Sequence, residues 1–349
     1  MRRLPVFFLL DCSESMVGEK LSQMEEGLST IVKTLRSDPH ALETVYISII
    51  AFAGIAKTIA PLIELASFYP PKLPIGGGTS LGAALEVLMA SIDNSVIKTT
   101  SDQKGDWKPI VYLFTDGHPT DNFNQAVSRW NSAYAKKVTL IAVGLGKSAD
   151  FGVLRLLTEN VIAFEYAQEG DFKKFINWVT ASIVAQSKSV GEGTNANGFP
   201  SLDERVLKIV KDPPSAVADE TCVTLIGRCQ KTRKPYIIKY EKDTQDLAVS
   251  EIRIEVPFFT LAGCYPLEED YFAWSDPKTL NLKVNTSELK GTPGCPYCGA
   301  QSAFAVCHCG KILCIDKLNE VQCPWCENNV SFSPTSSDVS GFDVNRSRG

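Results

Sequence analysis

The chain has 349 residues, of which 44% are hydrophobic and 21% are charged, as expected for a globular protein with room for two domains. The formal net charge is only −5 and is spread evenly along the chain, which excludes a polycation that holds nucleic acid or anionic lipid by bulk charge. No apolar stretch approaches the ~20 residues of a membrane span. An N-terminal Arg-Arg and a short apolar run imitate a secretory signal but lead directly into Asp11 without a small-residue cleavage site, so we expect a cytoplasmic protein.

Strand-like and helix-like segments alternate over residues 5–187. Apolar runs predict strands at 6–10, 44–52, 110–115, 138–144 and 161–164, with an antiparallel edge strand at 56–60. Apolar residues at helical spacing predict helices at 21–35, 80–97, 122–135, 151–159 and 171–185. Because several strands are continuously apolar, both faces of the sheet must be covered. The pattern predicts an α/β fold with a doubly wound, mostly parallel sheet.

The pattern ends near residue 187, and composition predicts the remaining organisation. Residues 188–200 are small, polar and rich in glycine, as in a linker, so the first domain is predicted at 1–187. Short strands are predicted at 223–226, 236–240 and 252–256 within a smaller β-rich domain at 201–332, which holds a cysteine module at 295–326. The polar segment 333–349 is predicted to be a disordered tail.

Oxygen-bearing side chains follow the predicted strands. Asp11, Ser13 and Ser15 come directly after the first strand, Asp116 follows the strand at 110–115, and Thr79 ends a glycine-rich loop before a helix. Ligands of an open parallel sheet bind beyond the carboxyl ends of its strands. Taken alone, each of these three segments could also be an ordinary helix cap, turn or flexible loop. Together they predict a site for Mg²⁺ or Mn²⁺, which prefer oxygen ligands.

The cysteines are concentrated near the C-terminus. Two Cys-Pro-x-Cys knuckles are separated by 24 residues, a spacing typical of zinc binding rather than of a disulfide framework. With the residues between them they supply eight potential ligands: Cys295, Cys298, Cys307, His308, Cys309, Cys314, Cys323 and Cys326.

Eight ligands would make two tetrahedral zinc sites, with the pairing open, and the simpler alternative is one zinc held by the two knuckles alone. An iron–sulfur cluster is distinguished only by metal analysis. Because no substrate-activating residue is evident, the predicted zinc-ribbon-like module is structural. Cys222, Cys229 and Cys264 lie outside any knuckle and are interpreted as partly buried thiols.

The combination of Asp11-x-Ser13-x-Ser15, Thr79 and Asp116 resembles the metal-ion-dependent adhesion site of von Willebrand A-type domains, whose fold is Rossmann-like. The resemblance covers about residues 1–187. It implies that the three hydroxyls are direct ligands and that the two carboxylates bind directly or through water. It also implies an open metal position that is filled by an Asp or Glu of a partner.

The succession of this domain, a β-rich segment and the Cys-Pro-x-Cys…Cys-x-Cys-Gly…Cys…Cys-Pro-x-Cys pattern resembles the TerY family associated with bacterial tellurite resistance and stress response. The resemblance implies a non-enzymatic intracellular scaffold. Its implied partners are a protein kinase and a metal-dependent Ser/Thr phosphatase, which places it in phosphorylation signalling.

Two other functions remain as alternatives. A metal-dependent hydrolase would use Asp11 as a nucleophile and His118 as a base, but such enzymes generally carry a second carboxylate at the position of Ser13. A nucleic-acid-binding zinc ribbon would use basic side chains interleaved with aromatic ones in the C-terminal half. Those residues are Arg228, Lys231, Arg233, Lys234, Tyr236, Lys239 and Tyr240.

Overall fold

The computed structural model describes residues 2–116, 118–146, 149–164, 171–192, 207–209, 222–249, 252–276, 282–316, 320–332 and 341–347. The chain divides into two compact units. The N-terminal unit comprises Met1–Pro74 and Thr79–Ala216, and the C-terminal unit comprises Ile75–Gly78 and Val217–Gly349. Among the described residues, no helix combines the length and the apolar character that crossing a bilayer requires.

The N-terminal unit alternates strands and helices. Its described strands are β1 (Leu4–Asp11), β2 (Val45–Phe52), β3 (Ala56–Glu64), β4 (Ile110–Thr115), β5 (Thr139–Leu145), β6 (Val161–Phe164) and β7 (Leu207–Ile209). Its described helices are α1 (Glu19–Arg36), α2 (Pro39–Thr44), α3 (Leu81–Ser95), α4 (Asn124–Ala133), α5 (Phe151–Arg155) and α6 (Asp171–Glu192). Short 3-10 helices lie at Glu14–Met16 and Leu65–Ser67.

The strands of this unit form one sheet in the order β3-β2-β1-β4-β5-β6-β7. The pairs from β2 to β6 are parallel, and the edge strands β3 and β7 are antiparallel to their neighbours. The strand order reverses between β1 and β4, because the chain first builds outward through β2 and β3 and then returns to the other side of β1. A crevice at such a switch point is where open α/β sheets bind ligands.

Helices cover both faces of this sheet, which confirms the predicted fold class. Along β1 the side chains alternate in direction. Phe7 and Leu9 pack into a buried cluster with Trp130 of α4, whereas Phe8 belongs to an aromatic stack that continues through β4 to Phe175 of α6. All eight residues of β1 are buried. This explains why the strand is an uninterrupted apolar run.

The C-terminal unit is built from short strands around one longer hairpin. Its elements are β8 (Cys222–Arg228), β9 (Pro235–Val249), β10 (Ile252–Pro266), α7 (Tyr271–Trp274), β11 (Lys283–Asn285), β12 (Leu289–Lys290), β13 (Ser302–Val306), β14 (Ile312–Ile315), β15 (Glu320–Gln322), β16 (Asn329–Ser331) and β17 (Asp343–Asn345). Six of these strands form a sheet in the order β12-β10-β9-β8-β14-β13. The pairs β11–β17 and β15–β16 form two separate ribbons.

Three predicted boundaries are wrong. Helix α6 continues to Glu192, into the segment assigned to a linker, and β7 completes the first sheet although its residues were assigned to the second domain. In the predicted disordered tail, β17 pairs with β11, and Val344 of β17 is buried. These pairings join segments far apart in sequence, so local polarity does not indicate them. The remaining linker residues 193–200 and the tail residues 333–340 lie outside the described part of the chain.

Candidate metal sites

The first candidate oxygen ligands lie where β1 ends and a 3-10 turn begins. Asp11 is fully buried; its Oδ1 accepts a hydrogen bond from the Ser13 amide at 2.9 Å, and its Oδ2 accepts one from the Thr115 hydroxyl at 2.5 Å. The Oγ atoms of Ser13 and Ser15 are 3.0 Å apart. The turn therefore places one carboxylate and two hydroxyls together. Thr115, which no sequence pattern indicates, orients the carboxylate from the neighbouring strand.

Thr79 is held at the same edge of the sheet by backbone contacts. The preceding Gly78 has a φ of 97°, a conformation that favours glycine. The Thr79 amide donates to the Thr120 hydroxyl oxygen at 2.8 Å, and the Thr79 carbonyl accepts from the Thr120 amide at 2.8 Å. On the other side, the Ser80 amide donates to the carbonyl of Ala53, the residue after β2. Thr120, four residues after Asp116, thus ties the Thr79 loop to the end of β4.

Asp116 follows β4 directly and is almost fully buried. No described residue donates a hydrogen bond to its Oδ1, which is buried, and its Oδ2 lies 3.9 Å from the Lys20 ammonium. Its carbonyl accepts a hydrogen bond from the Asp150 amide, which fixes the backbone. A buried carboxylate oxygen without a donor is costly unless a cation balances it.

The electrostatics of the two carboxylates fit a divalent cation. Burial, followed by the negative charge of Asp116, raises the pKa of Asp11 to about 7. The carboxylates of Asp11 and Asp116 therefore repel each other in a poorly solvated place at the switch point between β1 and β4. Two carboxylates with the hydroxyls of Ser13, Ser15 and Thr79 form an all-oxygen donor set, which suits Mg²⁺ or Mn²⁺. His118, the base of the hydrolase alternative, lies half-buried two residues beyond Asp116.

Eight thiols of the C-terminal unit gather into two groups of four. Within each group the sulfur atoms all lie within 4.8 Å of one another. Cluster A consists of Cys229, Cys295, Cys298 and Cys314. Cluster B consists of Cys307, Cys309, Cys323 and Cys326. All eleven cysteines of the chain are free thiols.

The sulfur spacing fits tetrahedral zinc. Zn–S bonds of about 2.3 Å in a tetrahedron separate the sulfurs by about 3.8 Å. The pairs Cys298–Cys314, Cys307–Cys326 and Cys309–Cys323 are 3.6, 3.7 and 3.9 Å apart. Four thiolates fill all four positions of such a site and leave none for a substrate, as in structural zinc sites.

Cluster A differs from the predicted ligand set. Cys229, interpreted from the sequence as an ordinary thiol, supplies its fourth sulfur, whereas His308 is exposed and belongs to neither cluster. The alternative of one zinc held by both knuckles is also wrong, because Cys295 and Cys298 lie in cluster A and Cys323 lies in cluster B. The error arose because Cys229 is 66 residues from the nearest knuckle and has no second cysteine beside it.

A backbone pattern shows that Cys229 begins a knuckle nonetheless. In the turns that start at Cys229, Cys295 and Cys323, the cysteine amide donates to the carbonyl five residues on, and its carbonyl accepts from the amide four residues on. That fourth residue has positive φ in each turn: 59° at Arg233, 70° at Gly299 and 62° at Glu327. The sequence signal was therefore a lone cysteine at the end of a strand and before a tight turn.

Thr232 takes the position that the second cysteine occupies in the other two knuckles. Its amide donates to the Cys229 sulfur at 3.4 Å. Burial acts to raise the pKa of the Cys229 thiol, but hydrogen bonds from Thr232 and from the Lys231 backbone outweigh it and lower the pKa to about 7. The turn therefore favours the thiolate, which is the form that binds metal.

The β13–β14 hairpin supplies two thiols to cluster B and one to cluster A. Cys307 and Cys309 lie in the turn between β13 and β14 and belong to cluster B, whereas Cys314 lies on β14 and belongs to cluster A. The ligands of the two clusters therefore interleave along the chain. One hairpin serves both.

Comparison with known proteins identifies a family for each part of the chain. A model of the von Willebrand factor type A domain matches residues 6–177, and a model of the TerY-C metal binding domain matches residues 219–349. Human inter-alpha-trypsin inhibitor heavy chain H6 is 24% identical over 165 residues, which cover 44% of this chain and only 12% of that protein.

Two of the solved structures that the comparison finds are also von Willebrand factor type A proteins by name. A von Willebrand factor type A protein from Catenulispora acidiphila is 12% identical, with a TM-score of 0.42, over 81% of this chain and 61% of that one. The ArnB paralog VWA2 from Sulfolobus acidocaldarius is 14% identical, with a TM-score of 0.39, over 77% and 67%. The two family models and the geometry of the sites agree: the chain joins a von Willebrand factor type A domain to a TerY-C metal binding domain.

Proposed function

We propose that this protein is a non-enzymatic interaction scaffold whose N-terminal domain presents Mg²⁺ or Mn²⁺ to an Asp or Glu of a partner protein. The observation that carries the proposal is the pair of buried carboxylates at the strand switch point. Asp116 Oδ1 has no described hydrogen-bond donor, and Asp11 has a pKa raised to about 7. A divalent ion would neutralise both groups.

The proposed ligands are of two kinds, neutral hydroxyls and charged carboxylates. Ser13, Ser15 and Thr79 would hold the ion through neutral hydroxyls, and Asp11 and Asp116 would contribute negative charge directly or through water. A site with few charged ligands leaves the ion electrophilic, so a further carboxylate is attracted to it. Binding through a shared metal ion would then require both the ion and an acidic side chain on the partner.

The C-terminal domain would hold one zinc ion in cluster A and one in cluster B. Each cluster offers four sulfur ligands at tetrahedral spacing and leaves no position for a reacting water. We therefore propose a structural role for both ions. Since structural zinc contributes directly to folding, the domain's shape, and any partner contact that it makes, would depend on the metal.

The contacts of the C-terminal unit disfavour the nucleic-acid alternative. Tyr236 and Tyr240 are fully buried, and their hydroxyls donate to backbone carbonyls, so neither ring is available for base stacking. Lys239 is buried and lies 3.3 Å from Glu241, and Arg233 pairs with Glu327 at 2.7 Å. Much of the basic hairpin face is thus neutralised within the domain.

The identity of the partners rests on the TerY resemblance. We propose a protein kinase and a metal-dependent Ser/Thr phosphatase as partners in stress or tellurite-resistance signalling. Eleven free thiols and two thiolate clusters suit a reducing compartment, so we place this scaffold in the cytoplasm.

A pull-down of the tagged protein from its native cell lysate tests the function. We compare wild type in Mg²⁺, Asp116→Ala in Mg²⁺ and the control Asp102→Ala, which removes an exposed aspartate from the loop between α3 and β4. We expect Asp116→Ala to lose the Mg²⁺-dependent partners by at least about tenfold, because it removes one of two charged ligands. Asp102→Ala should retain them.

Chelation is a weaker test than the variant, because EDTA also removes zinc. Circular dichroism must show that Asp116→Ala is folded. Equal retention of the same proteins by wild type and by folded Asp116→Ala would refute the adhesion mechanism.

A further inference from the structure

Lys20 is a partly buried cation beside the adhesion site. It is the second residue of α1, its side chain is only 21% exposed, and its ammonium lies 3.9 Å from Asp116 Oδ2. A cation in the first turn of a helix opposes the helix dipole, which favours negative charge there. The position is therefore stabilised by the carboxylate and not by the helix itself.

The side chain of Lys20 runs along apolar residues toward Asp116. The stem of Lys20 lines a small apolar cavity with Leu10, Met24 and Phe114, and its Nζ passes close to Gly146. Among the residues that the structure describes, Asp116 is the one carboxylate within 4 Å of the ammonium. Asp116 Oδ2 therefore serves as its counter-ion, and any divalent ion bound by Asp116 must share that carboxylate with Lys20.

We propose that Lys20 is a counter-cation built into the adhesion site, which weakens metal binding and strengthens the attraction of the loaded site for a carboxylate. This inference rests on the proposed function. With a divalent ion bound, the ion, the carboxylates of Asp11 and Asp116 and the ammonium of Lys20 carry a formal charge of +1 together. One partner carboxylate makes this metal-loaded site neutral. Without Lys20 the loaded site would already be neutral.

Removing Lys20 has the same effect on the local charge whatever other groups surround the site. Other charges are the same with and without Lys20, so its removal changes the local charge by one unit in every state. The two affinities must therefore move in opposite directions: a divalent ion binds more tightly, and an anion on that ion binds more weakly. A lysine with a merely structural role would not produce this pair of opposite effects.

The first test measures Mn²⁺ affinity by water-proton relaxation in the full-length protein with its zinc retained. Lys20→Met keeps the apolar stem and removes the charge. Lys33→Met is the matched control, because it removes an exposed lysine from the same helix about 20 Å away. We expect about tenfold tighter Mn²⁺ binding by Lys20→Met, and an unchanged affinity for Lys33→Met.

The second test uses acetate as the carboxylate probe on the Mn²⁺-saturated proteins, with chloride at equal ionic strength as the control. Acetate displaces water from the bound ion and lowers the relaxation enhancement. We expect Lys20→Met to need several-fold more acetate than wild type for the same effect. Lys20→Gln repeats both tests if Lys20→Met does not fold.

The outcomes separate this inference from the proposed function. If wild type has a Mn²⁺ site that Asp116→Ala removes, the proposed metal site stands. Equal or weaker Mn²⁺ binding by the Lys20 variants, or an unchanged acetate requirement, then overturns the role of Lys20. If wild type binds no Mn²⁺ but Lys20→Met does, the competition is supported and the native adhesion function fails. If neither protein binds, both fail.

Discussion

Cys229 supplies the fourth sulfur of cluster A from a turn that contains no other cysteine. The turn has the backbone hydrogen bonds of the Cys295 and Cys323 knuckles, and Thr232 stands in place of their second cysteine. The missing ligand comes instead from Cys314 on β14, whose sulfur also accepts a hydrogen bond from the Gln230 amide at 3.3 Å. Cys229 thus joins the β8–β9 hairpin to the cysteine module.

Cys229→Ser should therefore remove about one zinc ion per chain, because a site left with three thiolates and an uncharged hydroxyl binds zinc poorly. Inductively coupled plasma mass spectrometry of the purified protein measures the loss. The melting temperature of the C-terminal domain should fall as well. His308→Ala is the control, since His308 is exposed and lies in neither cluster. Full zinc content in Cys229→Ser, or loss of zinc in His308→Ala, would contradict the assignment of cluster A.

At the scale of elements, the loop after β4 positions two parts of the adhesion site. Asp116 begins it, Thr120 makes reciprocal hydrogen bonds with Thr79, and the Asp121 carboxylate accepts from the amides of Gly82 and Ala83 in the first turn of α3. An acidic group at a helix N-terminus is favourable. The loop therefore fixes both Thr79 and the helix that follows it.

We expect Thr120→Val to weaken Mn²⁺ binding about tenfold and to destabilise the N-terminal domain by about 1–3 kcal/mol, because the Thr79 amide loses its acceptor. Thr120→Ser keeps the hydroxyl and should restore both quantities. Isothermal titration calorimetry measures the affinity, and urea unfolding measures the free energy. If Thr120→Val binds Mn²⁺ as wild type does, Thr79 is positioned by its other contacts.

At the scale of the whole molecule, each unit has its own core and its own candidate metals. The N-terminal core lies between the sheet and its helices. The candidate metal ligands of this unit are all oxygen atoms. The C-terminal cores are small, and five cluster cysteines are among their buried residues: Cys229, Cys295, Cys314, Cys307 and Cys323. A small domain of this kind commonly depends on metal for its stability.

A chelator that takes zinc and leaves millimolar Mg²⁺ in place should therefore unfold the C-terminal domain alone. In differential scanning calorimetry we expect the unfolding transition of the C-terminal domain to disappear. The transition of the N-terminal domain should remain, and its midpoint temperature should still rise with added Mg²⁺. Buffer with zinc-saturated chelator is the control. Loss of the Mg²⁺-sensitive transition on zinc chelation would show that the two units do not unfold independently.

Strands that depend on local sequence patterns were predictable. The strand expected at 110–115 is observed as Ile110–Thr115, and the edge strand expected at 56–60 is observed within β3, antiparallel to β2. The first prediction uses an apolar run, and all six residues of that strand are buried. The short helix α2 was missed, although Asp38 caps it and Pro39 occupies its first turn, because six residues show little periodicity.

By itself the sequence determined the class of each domain and the kind of chemistry it can hold. The residues Asp11, Ser13, Ser15, Thr79 and Asp116 stand at strand ends and before a helix, and paired cysteines form tight turns, so local spacing was enough to indicate metals. Only the tertiary structure decided that Cys229 replaces His308, which sulfurs share a cluster, and that Thr115, Thr120 and Lys20 surround the adhesion site. These relations join residues that are distant in sequence. They arise when strands pair and helices pack, which no local pattern of residues records.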